Sequence, residues 1–207
     1  MDNVTVVDHP LAAHLLTELR MVGTEPERFR HLSRRLGTVL ALEATKGLRT
    51  RAEDISTPLG PTQGTVLDRP VVAVPILRAG LGLLETVTDL LPEVRVGYVG
   101  LERDESTLQP ASYYLKVPVL GDASVLLLDP MLATGGSAAF AVGLLKKHGA
   151  TDIQLVCVVA APEGIRRLTD EHPDVGVVTA SIDEGLNDVG YIVPGLGDFG
   201  DRLFGTS

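Results

Sequence analysis

Asp129 stands at the end of an apolar run, Val125-Leu126-Leu127-Leu128. It is followed by Pro130-Met131-Leu132 and then by a small, hydroxyl- and glycine-rich stretch, Ala133-Thr134-Gly135-Gly136-Ser137. The apolar run reads as a buried strand, which places the acid at the carboxyl edge of a sheet, where open α/β sheets bind ligands. The small residues read as a turn that opens a helix. Backbone N–H groups and hydroxyls at such a helix start suit a phosphate. Thr134-Gly135-Gly136 lets the backbone come close to it, because glycine carries no Cβ. A carboxylate beside that turn suits ribose hydroxyls or a metal-bound water. Together these features point to a sugar phosphate. The stretch is not a Walker A loop, since no Gly-Lys-Ser/Thr follows, and its glycine spacing is not that of a dinucleotide fingerprint. The competing structural reading is an ordinary strand-to-helix turn.

Two arginines occupy comparable positions. Arg78 follows the apolar run at 71–74 within Pro75-Ile76-Leu77-Arg78-Ala79-Gly80, and Arg103 follows the run at 94–99 within Leu101-Glu102-Arg103-Asp104-Glu105. A guanidinium matches phosphate oxygens two at a time. Taken singly, each is more often a surface ion pair. A third segment, Pro194-Gly195-Leu196-Gly197-Asp198-Phe199-Gly200-Asp201, is so dense in glycine that it predicts irregular backbone, not regular helix. Such a segment can bring backbone groups to the edge of a flat ring, or can simply pack as a C-terminal loop.

The elements that must hold these residues follow a strand-helix rhythm from residue 70 onward. Short β-branched or Leu-rich runs at 71–74, 94–99, 125–128, 153–159 and 175–178 read as strands, with helices between several of them at 79–91, 137–148 and 163–172. Near-continuous apolar strands alternating with helices predict a parallel sheet covered on both faces, an α/β fold. Lys146-Lys147-His148-Gly149 gives the middle helix its cationic last turn and glycine cap. Residues 11–48 read as two helices separated at Gly23-Thr24-Glu25, with Pro26 in a first turn. The two prolines and two glycines of Thr57-Pro58-Leu59-Gly60-Pro61-Thr62-Gln63-Gly64 make 49–69 a β-hairpin arm or an irregular connection.

Composition narrows the function classes. A chain of 207 residues, 44% hydrophobic and without tryptophan, is enough for one domain with a Val, Leu, Ile and Ala core. The formal net charge of −9 discourages binding to nucleic acid or to an anionic membrane. A polyanionic substrate must then meet local arginines or a metal ion. Cys157 is the single cysteine, which fits a reducing compartment and reads as a buried small hydrophobe. The acidic N-terminus lacks a signal-peptide pattern, so the expected location is cytoplasmic, with no membrane partner.

Four motifs in register carry a resemblance. Val-Pro-Ile-Leu-Arg-Ala-Gly at 74–80, Asp-Pro-Met-Leu-Ala-Thr-Gly-Gly-Ser at 129–137, Ala-Ala-Pro-Glu-Gly at 160–164 and Tyr-Ile-Val-Pro-Gly-Leu-Gly-Asp-Phe-Gly-Asp-Arg at 191–202 together resemble the uracil phosphoribosyltransferases. The likeness runs from His9 to Thr206. It implies conversion of uracil and phosphoribosyl pyrophosphate (PRPP) to UMP and diphosphate with magnesium. The implied architecture is the type I phosphoribosyltransferase fold, a parallel sheet with a hood built from the two termini and a β-hairpin arm. A single domain over 1–207 would comprise a helical part at 9–48, the arm at 49–69, a PRPP-binding core at 70–180 and a uracil-recognition segment at 181–207.

The resemblance also assigns roles. PRPP would be held by Arg78, Arg103, Asp129, Pro130, Met131, Leu132, Ala133, Thr134, Gly135, Gly136, Ser137 and Asp198, with Ala133 to Ser137 around the 5′-phosphate. Uracil would meet Ile192, Gly197, Asp198 and Phe199. Asp129, Arg103 and Asp198 would be catalytic. Magnesium would arrive mainly on PRPP, with no dedicated protein metal site. A homodimer or homotetramer is a further implication, and GTP is an effector of some members. Three positions stand out. Many phosphoribosyltransferases carry a second acid where this chain has Pro130, though proline is usual in the uracil branch. Many relatives have tyrosine at Glu102 and alanine at Phe199, which bears on the 101–111 loop, expected to be flexible, and on the space around the uracil segment. The alternatives are a phosphoribosyltransferase for another base, an RNA-binding pyrimidine regulator on the same fold, which would need a basic face, and a catalytically silent ligand sensor, against which the intact loop and both arginines speak.

Overall fold

The computed structural model describes residues 3–103 and 110–206. The chain enters through β1 (Val4–Val6), α1 (Pro10–Arg20) and α2 (Pro26–Ala44). His9 caps α1 by accepting a hydrogen bond from the Leu11 N–H, and Pro10 and Pro26 open the two helices where a missing N–H costs nothing. Three-and-four spacing places Leu15, Leu16 and Leu19 of α1 and Phe29, Leu32, Leu36 and Leu40 of α2 in the core. The arm is a hairpin, β2 (Thr50–Thr57) against β3 (Gly60–Leu67), in antiparallel register from Thr50↔Leu67 to Thr57↔Gly60. Most of its residues are exposed.

The central part runs β4 (Val71–Leu77), α3 (Leu81–Leu90), β5 (Arg95–Val96), β6 (Tyr98–Arg103), β7 (Pro110–Lys116), β8 (Ser124–Leu128), β9 (Met131–Leu132), α4 (Gly136–Lys147), β10 (Asp152–Ala160), α5 (Pro162–Glu171) and β11 (Gly176–Ile182). The main sheet has the order β1-β11-β10-β8-β4-β6-β7, with β5 also on β4 and β9 also on β10. Every pairing is parallel except β6 with β7. Strand alternation sends Val71, Ala73, Leu126 and Leu128 to one face, with α1, α2 and α3. Val72, Val74, Val125 and Leu127 go to the other, with α4 and α5. A sheet apolar on both faces follows from this double coverage. Cys157 is fully buried in it, and burial pushes its thiol up to about 12. Among the described residues no helix is long and apolar enough to cross a membrane.

The chain ends with a small hairpin, β12 (Gly185–Leu186) and β13 (Ile192–Val193), and a short helix, α6 (Phe199–Phe204). Two expectations are corrected here. The 101–111 stretch is not a loop throughout: Leu101, Glu102 and Arg103 pair with Ser112, Ala111 and Pro110 in an antiparallel ladder, and residues 104–109 lie outside the described residues. The strand-favouring aromatic pair in Tyr113-Tyr114-Leu115 was the available signal for β7. The glycine-rich 194–201 segment is irregular only as far as Asp198. Phe199, Gly200 and Asp201 are helical because the Asp198 carboxylate caps α6, accepting from the Asp201 N–H at 2.8 Å.

Candidate active site

β4 and β8 are adjacent and parallel, with Pro75 opposite Leu128, so the Arg78 turn and Asp129 leave the sheet at the same edge. The turn is tight. The Gly80 N–H donates to Ile76 O at 2.9 Å, and a Cβ on Gly80 would lie 2.3 Å from Leu128 O. Only glycine lets the two strand ends approach so closely. The Leu77–Arg78 peptide is cis. After Asp129, the chain breaks from β8 at Pro130 and rejoins the sheet as β9, Met131 and Leu132 pairing with Val159 and Ala160. The expected loop at 129–137 is therefore interrupted by a strand, and only Ala133 to Gly135 form the turn into α4.

These elements enclose a cavity of about 280 Å³ lined by Leu77, Arg78, Ala79, Asp129, Met131, Leu132, the run Ala133 to Ser137, and Gly190. Asp129 is partly buried on its wall. Burial pushes its carboxyl up to about 7, against a smaller opposing effect of the Met131 N–H. Arg78 is exposed, 3.7 Å from Asp201 Oδ1, with its guanidinium 5.7 Å from the centre of the Phe204 ring. It is thus lightly held and free to turn to an anion. Gly135 precedes α4 with φ of 77°, a left-handed conformation that side chains disfavour. Gly135 offers no capping side chain, and apart from a long 3.5 Å contact of the Gly136 N–H with Thr134 Oγ1 the first N–H groups of the helix are left to a ligand. A Cβ on Gly135 would lie 2.7 Å from Gly164 O, and one on Gly164 would lie 2.4 Å from Ala133 O. The 160–164 motif, which sequence reasoning had left without a role, is the seat under the phosphate-type loop.

The C-terminal segment packs against the Arg78 turn, outside the lining of this cavity. A Cβ on Gly200 would stand 3.8 Å from Ala79 Cβ. Gly197 and Asp198 are exposed, whereas the flanking Gly195-Leu196 and Phe199-Gly200 are buried. The Phe199 ring points into the core, edge-on to Phe29 at 5.1 Å and against the backbone of Gly82, where a Cβ would meet Phe199 Cε1 at 2.8 Å. The large side chain therefore takes no room in the cavity. Ile192 is buried in the same core, so its side chain takes no part in the cavity wall. Pro130 is buried and does not line the cavity, and Leu132, nearly fully buried, is a structural part of its wall. Arg103 ends β6, and its side chain lies outside the described residues.

Gly190 went unnoticed in the sequence as a wall residue. It sits in the loop of the β12–β13 hairpin, where Asn187 Oδ1 accepts from the N–H groups of Val189 and Tyr191. The Asn187-Asp188-Val189-Gly190 turn composition was the signal that could have found it. A larger cavity, about 560 Å³, lies at the opposite edge of the sheet, between the arm base and the starts of β4 and β5. It has no acid-and-glycine turn.

Comparison with known proteins finds relatives over the whole length of the chain. The family model described as uracil phosphoribosyltransferase matches residues 6–206. The uracil phosphoribosyltransferase of Dictyoglomus thermophilum is 52% identical over 205 residues, 98% of this chain and 99% of that one. That of Clostridium tetani is 50% identical over 208 residues, the full length of both. Among solved structures, the AQ2163 protein of Aquifex aeolicus superimposes with a TM-score of 0.93 at 39% identity, covering 99% of each chain. A hypoxanthine phosphoribosyltransferase of Trypanosoma cruzi shares the fold alone, with a TM-score of 0.51 at 14% identity over 76% of this chain and 75% of that one.

Proposed function

This chain belongs to the uracil phosphoribosyltransferase family, and from that membership we propose that it joins uracil to the ribose 5-phosphate of PRPP, giving UMP and diphosphate in pyrimidine salvage. Its fold is the type I phosphoribosyltransferase fold. The observation that carries the reading is the shared cavity of Asp129, Arg78 and the Ala133–Ser137 run at the sheet's carboxyl edge.

In this reading the uncapped start of α4 holds the 5′-phosphate, as helix N-termini hold anions. Asp129 accepts hydrogen bonds from the ribose hydroxyls and offsets positive charge that develops on the ring as the bond to diphosphate breaks, as in glycoside cleavage. Arg78 and Arg103 stabilise charge on the departing diphosphate. Backbone groups of Ile192 and of Gly197 to Phe199 read uracil, and Asp198 assists loss of the N1 proton. Fixed backbone partners suit the N3–H donor of uracil between two carbonyls. Cytosine mismatches them, a kind of buried mismatch that can discriminate by about 10⁴–10⁵.

Among the described residues no three metal-ligating side chains converge, and the cavity wall supplies one carboxylate, Asp129. That donor set fits magnesium carried by the substrate's own oxygens, which would supply charge neutralisation of the diphosphate. One domain spanning 1–207 is the matching organisation. The exposed Ile55, Leu59 and Leu67 of the arm support an assembly in which a second copy covers it.

The test is diphosphate release by purified protein given PRPP, magnesium and one base at a time. Uracil is expected to support turnover, and cytosine, xanthine and hypoxanthine are not. Preference for any of the other three, or no release with uracil, would refute the assignment.

A further inference from the structure

Asp183 lies at the joint of three elements. It follows β11, its N–H donates to Ala160 O at 2.9 Å, and the neighbouring Glu184 N–H donates to Val193 O at 3.0 Å. Its side chain is buried and paired with Arg20 at the end of α1 through two bonds, Nη1 to Oδ2 at 2.7 Å and Nη2 to Oδ1 at 2.6 Å. Ser181 Oγ donates to Oδ1 at 2.8 Å. The pair also takes both backbone groups of one residue: the Gly195 N–H donates to Asp183 Oδ2 at 2.9 Å, and Arg20 Nη1 donates to Gly195 O at 2.7 Å. Burial alone would raise the Asp183 carboxyl, but donors from Arg20, Ser181 and Gly195 outweigh it and hold the carboxyl below its usual range. A second guanidinium continues the clamp, Arg202 Nη1 donating to Leu196 O at 2.8 Å. The exposed Gly197 and Asp198 begin immediately after these two held carbonyls.

We infer that Arg20 and Asp183 are positioning residues for base recognition, setting the height and orientation of the Gly197–Phe199 backbone through the Gly195 peptide groups. The inference rests on the reading that this backbone meets uracil. Neither side chain lines the phosphate cavity, so their loss should act on the base and not on PRPP.

The experiment measures KM for uracil and for PRPP separately in Arg20→Lys, Ser181→Ala and Gly197→Val, with the melting temperature of each. A lysine keeps the charge of Arg20 but not the fork that reaches Gly195 O and both carboxylate oxygens. Arg20→Lys should raise the uracil KM about 10-fold, the value of one well-placed hydrogen bond, with the PRPP KM within about twofold. Ser181→Ala, the milder variant should Arg20→Lys not fold, should raise it about threefold. An unchanged uracil KM, or a parallel rise of both KM values, would overturn the inference. Gly197→Val separates the two failures. If it raises the uracil KM while the clamp variants do not, the clamp fails and the recognition segment stands; if none of the three moves it, the assignment of the segment itself is wrong.

Discussion

Replacing Asp129 by asparagine should slow turnover sharply and yet stabilise the free protein, by an amount that depends on pH. The carboxyl is moved from an ordinary value near 3.8 to about 7 because burial disfavours its ionised form. The folded state then holds a proton that the unfolded chain has already lost between about pH 4 and 7. Stability accordingly falls as pH rises through that window, and the full cost is present above it. A displacement of that size corresponds to roughly 4 kcal/mol. The carboxyl faces an open cavity, and solvent screening reduces the expected cost to about 2 kcal/mol. Asparagine has nearly the shape of the neutral acid and carries no such cost. Urea unfolding at pH 8 should show the variant more stable by about 2 kcal/mol, a midpoint higher by about 1 M for a chain of this size. Near pH 4 the two proteins should unfold together. UMP synthesis by the variant should fall about 10²–10³-fold, as on removal of one preorganised electrostatic contact. Equal midpoints at pH 8, or an equal gain at both pH values, would refute the claim that a buried charge is held ready for substrate. Near-normal synthesis would refute its catalytic role.

The loop geometry makes Gly135→Ala a sensitive test. The new methyl would meet Gly164 O at 2.7 Å on a backbone with positive φ, so the PRPP KM should rise by about 10-fold or more at a modest cost in stability, measured by initial rates and thermal melting. Phe199→Ala removes a fully buried ring from its contacts with Phe29 and Gly82 and should cost about 3–5 kcal/mol, lowering the melting temperature by roughly 10 °C while the uracil KM changes little. An unchanged melting temperature would mean that the ring does not lie in the core. Arg78→Ala should lower kcat/KM for PRPP about 10²-fold with little effect on stability, since its guanidinium is held by a long pairing with Asp201 and by its place over the Phe204 ring.

Much of this protein is determined by local chemistry. Runs such as Val125-Leu126-Leu127-Leu128, apolar at every position, can be satisfied only by a sheet covered on both faces, and the helices between them supply the cover. The Asp129-to-Ser137 stretch announces a ligand edge because an acid ends an apolar strand and paired glycines then leave backbone N–H groups approachable at a helix start, although each residue type alone would also suit a plain turn. Prolines at the starts of α1 and α2 mark those helices from within the sequence. What escaped such reading depends on partners far away in the chain. Whether 49–69 is a hairpin depends on a register that neither strand dictates alone, and β7 is a strand because β6 is there to pair with it. The helix at Phe199–Phe204 forms against its glycine content because Asp198 caps it and Phe199 finds a vacancy over Gly82, a residue of α3. Glu163-Gly164 acquires meaning only when Gly135 is laid upon it, and Arg20 becomes a clamp only when Asp183 and Gly195 are brought to the end of α1. A sequence expresses periodicity and local conformational preference within a few residues, whereas close backbone approach and buried ion pairing are properties of segments that meet only after folding.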